Sequence, residues 1–159
     1  MITDFPSIER AYLPGLVSFA FIPSQYIQTL PPVSQGTITQ LVKLRSADRF
    51  LNGLSVIRKL SFDEEGATDD NGTIYNWKVT GFYPGDDPAA AALFAEMEAD
   101  HIRHLVIAKD HAGRRRLIGY NAPLTFTAVF NSGIEPGDAI GYTFTFTGRG
   151  KQRAPLYKA

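Results

Sequence analysis

The sequence predicts a mainly β, α+β domain: an antiparallel β-sandwich or partly open β-barrel of about eight strands, with one flanking helix at about residues 87–99. Three observations lead there. Strand-like segments bounded by glycine or proline recur along the chain. Two segments alternate in type: Tyr142, Phe144 and Phe146 against Thr143, Thr145 and Thr147, and Leu124 and Phe126 against Thr125 and Thr127. Successive side chains of a strand point to opposite faces, so each of these offers one apolar face to a core. Only one stretch reads as a strong helix.

In chain order, Gly15–Ile22, Thr37–Leu44, Leu54–Phe62 and Thr73–Phe82 read as strands of the first half. Asp86 or Asp87 then caps a helix, Pro88 suits its first position, and AAAALFAEMEA consists mostly of strong helix formers. Ala90, Leu93, Phe94 and Met97 keep the i, i+3, i+4, i+7 spacing of one buried stripe. RHLVIAKD and RRRLIGY flank HAG as a hairpin; PLTFTAVF and AIGYTFTFTG close the set across a turn in NSGIEPGD. Two long loops are expected. SFDEEGATDDNGTIYNW, too polar and glycine-rich to pack, projects into solvent or onto a partner, and FIPSQYIQTLPPVSQG reads as a crossing loop.

The chain of 159 residues fits one domain, 1–159, with 44% hydrophobic and 20% charged residues. No apolar run approaches a bilayer span, and MITDFPSIER lacks the basic and apolar regions of a secretory signal, so no membrane association is expected. Cysteine is absent, which excludes disulfides and thiolate chemistry.

Net charge is zero but unevenly spread: residues 1–100 hold 7 basic and 13 acidic residues, and residues 101–159 hold 9 and 3. Charge so divided favours head-to-tail contact between identical chains, which closes into a ring or continues as a filament. The candidate interface residues follow from it. They are Asp63, Glu64, Glu65, Asp69 and Asp70 of the acidic loop, Glu96, Glu98 and Asp100 at the helix end, Arg114, Arg115 and Arg116 at the hairpin, and Arg149, Lys151 and Arg153 after the last strand. The three acids at the helix C-terminus oppose the helix dipole, a cost of ~0.3 to 1 kcal/mol each, which a neighbour's arginines would relieve.

Catalytic and cofactor chemistry find little support. Glu96, Glu98, Asp100, His101 and His104 are the densest group of metal-ligand types, but His101 and His104 diverge if IRHLVI begins a strand. No nucleophile elbow, P-loop or dinucleotide fingerprint is present, so neither an enzyme nor a cofactor is expected. The arginines would meet phosphates, yet the aromatics sit on apolar strand faces and leave no stacking platform for a nucleic acid. The threonine face stays open among a solvent-facing sheet surface, a packing surface between subunits and an ice-binding array.

The stretch LVIAKDHAGRRRLIGYNAPLTFTAVFNSGIEPGDAIGYTFTFTGRGKQRAPLY resembles the C-terminal part of tailed-phage or prophage tail proteins, the tail tube class in particular. The resemblance lies in a D-x-x-G hairpin, R-L-I-G, P-L-T-F, S-G and G-D turns and the final G-Y-T-F-T-F-T-G strand, over about the last third of the chain. It implies a β-sandwich or barrel with a flanking helix that assembles into stacked rings, whose strands jointly form a hollow barrel while long loops bridge the rings. It implies a virion (tail) protein made in the bacterial host cytoplasm, with copies of itself and other tail proteins as partners and DNA only as passing cargo. No catalytic residue is carried over. A tail completion or head-tail joining ring protein is the alternative within that class, and a monomeric β-barrel binding a small ligand the alternative outside it.

Overall fold

A computed structural model of the chain describes residues 2–5, 13–45 and 47–159. In chain order its elements are β1 (Leu16–Pro23), a 3-10 turn (Ser24–Tyr26), β2 (Ile27–Thr29), β3 (Thr37–Ile38), β4 (Lys43–Leu44), β5 (Leu51–Asn52), a second 3-10 turn (Ile57–Lys59), β6 (Ser61–Asp69), β7 (Gly72–Pro84), α1 (Pro88–Met97), β8 (His104–Asp110), β9 (Arg115–Ile118), β10 (Thr125–Asn131), β11 (Gly141–Gly150) and β12 (Leu156–Tyr157). They form a six-stranded sheet, β3-β12-β9-β8-β1-β5, a four-stranded sheet, β10-β11-β7-β6, and a two-stranded ribbon, β2-β4. The arrangement is a mainly β sandwich with one helix and open sheet edges, not a closed barrel.

The aromatic alternation builds the core between the sheets. Phe126, Phe146 and Val79 stand opposite one another across β10, β11 and β7, with Phe144 in the adjoining row. Phe19 and Phe21 of β1 meet them from the six-stranded sheet, with Phe19–Phe144 ring centroids 5.4 Å apart and Phe21–Phe146 6.2 Å apart. Burying each phenyl ring contributes about 1.5–3 kcal/mol, and the tilted and edge-to-face pairings add to it. Gly81 of β7 lets Phe144 lie flat across the strand, since a Cβ there would stand 2.4 Å from its ring.

Helix α1 begins as expected. The Asp87 Oδ1 accepts from the Ala89 amide at 2.9 Å, and Pro88 takes the first position. Ala90, Phe94 and Met97 are buried, with Phe94 against Tyr83, Phe126, Tyr142 and Phe144. Leu93 departs from the predicted stripe and is 44% exposed.

Four sequence expectations change. The acidic segment read as a projecting loop is strand: β6 pairs with β7 from Ser61↔Thr80 to Asp69↔Gly72. A two-residue turn closes that hairpin, with Gly72 at φ +112° and the Asp69 Oδ1 accepting from the Asn71 amide at 2.7 Å. Thr37–Leu44 is no single strand, because Thr37–Ile38 pairs in parallel with β12 while Lys43–Leu44 pairs with β2. Within Leu54–Phe62 a 3-10 turn replaces the start of the expected strand. The proline-rich segment 21–36 is no bare crossing loop: Tyr26, Ile27, Leu30 and Val33 pack over Ile22, Leu105 and Leu117 on the outer side of the six-stranded sheet. That sheet is therefore covered on both faces, and His104, Leu105 and Val106 of β8 are buried in succession.

Candidate functional site

The threonine face lies on the outer surface of the four-stranded sheet, and the register shows what accompanies it. One row across the strands reads Thr127, Thr145, Thr80, Ser61, and the next reads Thr125, Thr147, Lys78, Asp63. A third row carries Arg149, Asn76 and Glu65. Four strands thus present hydroxyls and balanced charge outward, while their other face carries aromatic and small apolar residues, with Glu64 at one edge. Toward one end the same face carries Val129, 66% exposed, opposite Thr143.

Both long edges of this sheet are open. Beyond the bridge between Leu124 and His104, β10 pairs with no other strand than β11 among the described residues, and β6 pairs only with β7. Edge strands are ordinarily blunted by charge or proline. β6 follows that rule, with Asp63, Glu64 and Glu65. β10 does not: TFTAVFN contains neither a charge nor a proline.

The hairpin register sorts the predicted acidic residues by face. Asp63 and Glu65 point outward with the threonines, and Asp69 and Asp70 sit at the exposed turn. Glu64 points inward, opposite Trp77. Its Oε2 accepts from the Trp77 indole at 3.1 Å and from the Ala154 amide at 2.7 Å, and its Oε1 pairs with Arg153 at 2.9 Å. The acidic surface expected to receive the basic tail from a neighbour thus receives it within one chain. From there the tail crosses to the six-stranded sheet. Arg116 donates to the Ala154 carbonyl at 3.0 Å, Leu117 to that of Pro155 at 3.0 Å, and the Tyr157 hydroxyl accepts from the buried Val42 amide at 3.2 Å.

The remaining predicted residues are dispersed. Arg114 pairs with Asp110 at 3.0 Å across the β8–β9 turn. Partial burial acts to raise the Asp110 carboxyl, but the Arg114 amide and guanidinium and the Ala112 amide outweigh it and hold the group below its ordinary value. Arg115 donates to the Ala159 carbonyl and stands over the Tyr157 ring. Lys151 is exposed just past β11, and Arg149 lies on the threonine face. Glu96, Glu98 and Asp100 surround the end of α1, where a cation of the same chain already stands: Arg103 donates to the carbonyls of Asp100 at 2.5 Å and Ile102 at 3.0 Å.

Sequence reasoning weighed His104 only as a metal-ligand type and missed that it is fully buried among Phe21, Phe126 and Phe146. Its Nε2 lies 3.2 Å from the Met97 carbonyl, which only accepts, so Nε2 carries the proton and Nδ1 is left without a partner. Burial pushes its pKa below the ordinary histidine value, against the opposing effect of the Met97 bond. The ring works as a polar pin between the helix end and the core. Among the described residues no three histidine or carboxylate side chains gather where they would hold a metal, and no helix is long and apolar enough to cross a membrane. Comparison with protein-family models, curated proteins and solved structures finds no match to this chain.

Proposed function

We propose that the chain is a non-enzymatic structural subunit of a tailed-phage virion, a tail tube protein whose copies form stacked rings around a hollow conduit. One observation carries the reading: the four-stranded sheet has a hydroxyl-rich, nearly charge-balanced outer face, and its edge strand β10, without charge or proline, has no strand partner beyond β11 past the Leu124–His104 bridge among the described residues. Such an edge is an aggregation liability unless a partner strand covers it. Because β10, β11, β7 and β6 alternate in direction, β10 of the next copy continues the alternation beside β6. Repetition around a ring closes the sheet on itself and turns the threonine face toward a wet lumen. The resemblance of the last third of the chain to tail tube proteins supports the same architecture, in a virion assembled in the bacterial cytoplasm, with other tail proteins at its ends and DNA passing through.

The test is negative-stain electron microscopy of the concentrated protein beside its Val129→Lys variant. The wild type forms rings or tubes, fewer as salt screens the charged contacts. A lysine at this exposed edge position leaves the fold intact and suppresses assembly. Single rings that never stack would indicate a tail completion or head-tail joining protein instead. Separate subunits at every concentration would leave the monomeric binding module as the better reading.

A further inference from the structure

We propose that the cleft between the two sheets, at the side covered by α1, is a binding site for a small organic cation: an ammonium group carried on an apolar body. The cleft measures about 250 Å³. Its walls are rings from four elements, Phe19 and Phe21 of β1, Phe94 of α1, Phe126 of β10, and Phe144 and Phe146 of β11. Leu54 and Leu93 flank its mouth, 61% and 44% exposed. This is why Leu93, placed by the helical spacing among the core residues, stays in contact with water.

The chemistry of the lining selects the ligand. An aromatic face carries the negative lobe of its quadrupole and attracts a cation placed over it, most strongly where water is excluded. Asp87 lines the same cleft; one oxygen caps α1 through the Ala89 amide, and the other makes no hydrogen bond among the described residues. Among the described residues no lysine, arginine or histidine lines the cleft; the positive end of α1 there is already met by the Asp87 cap, and the second carboxylate oxygen is left for a cation. Volume sets the body. A cavity of about 150 Å³ holds benzene, so this cleft accommodates roughly ten non-hydrogen atoms, about twice what a lysine side chain would fill. An arylalkyl ammonium fits both requirements, and a partner protein's basic side chain does not.

The site lies inside one subunit, so its occupancy is independent of whether copies assemble. The test is an NMR titration of methyl-labelled protein with benzyltrimethylammonium, benzyl alcohol and phenylacetate, following the methyl groups of Leu54, Leu93 and Met97. The ammonium saturates these shifts about tenfold more tightly than the neutral alcohol, and phenylacetate does not saturate them. Asp87→Asn, which keeps a good helix cap, erases the preference for the cation while retaining weak aromatic binding. Leu93→Trp blocks the mouth and abolishes all binding with an unchanged far-ultraviolet circular dichroism spectrum. The proposal is overturned if the cation binds no better than the alcohol, if Asp87→Asn leaves the preference in place, or if the shifts fall outside the cleft.

Discussion

At the scale of single residues, His104 has the clearest consequence for solution behaviour. Folded, it is held neutral by burial among three phenyl rings. Unfolded, it takes up a proton near its ordinary pKa of 6.5. The unfolded state therefore binds more protons below that pH, and stability must fall as the solution is acidified. Its contribution is complete above about pH 6.5 and declines below it by up to ~1.4 kcal/mol per pH unit until the lowered folded-state pKa is reached. Urea unfolding between neutral and mildly acidic pH should show this slope in the wild type and a flatter one in His104→Phe, which fills the space without titrating. Equal slopes would mean that the ring is hydrated in the folded protein.

At the scale of elements, Glu64 decides how the β6–β7 hairpin and the C-terminal strap hold together. Its side chain is 12% exposed, whereas that of its ion-pair partner Arg153 is 67% exposed. An exposed arginine contributes under about 1 kcal/mol through such a pair. Removing Glu64 instead strands the Trp77 indole and the Ala154 amide, each of which costs about 1–3 kcal/mol if left dry. Thermal unfolding of the two alanine variants should therefore rank Glu64→Ala well below Arg153→Ala in stability; the reverse order would make the ion pair, not the desolvated hydrogen bonds, the source of the latch.

The same hairpin marks where the sequence stops being legible. β1, β7, α1 and the run from β8 to β11 could be read because burial imposes alternation, helical spacing or a capping residue on them. β6 is polar on most of its length, so no hydrophobic period announces it; Asp70-Asn71-Gly72 was the available sign of a tight turn, though its Asn-Gly pair sits one residue past the observed two-residue turn at Asp70–Asn71. β3 and β12 are two residues long and pair across most of the chain, and no local pattern encodes such a contact. The threonine face was visible as alternation, but its continuation through Thr80 and Ser61, and the inward turn of Glu64, depend on strand register. The aromatic cleft depends on packing between elements and left only one trace, the apolar helix stripe containing Leu93.

At the scale of the whole molecule, the two charged parts of the sequence meet at least once inside the subunit. Glu64 and Arg153, taken from opposite parts of the chain, meet within one subunit. Arg115 and Arg116 hold the C-terminal strap, so reversing them would loosen the fold along with any assembly. What distinguishes the molecule is instead the sheet β10-β11-β7-β6, with a wet face and two free edges. Hydrogen–deuterium exchange as a function of protein concentration tests this most directly. If copies pair edge to edge, the amides of Thr125–Asn131 and Ser61–Asp69 slow together as particles form, while the exposed turn at Asp70–Asn71 continues to exchange fast. Particles that form while β10 and β6 exchange at the rates of the dilute protein would contradict the account.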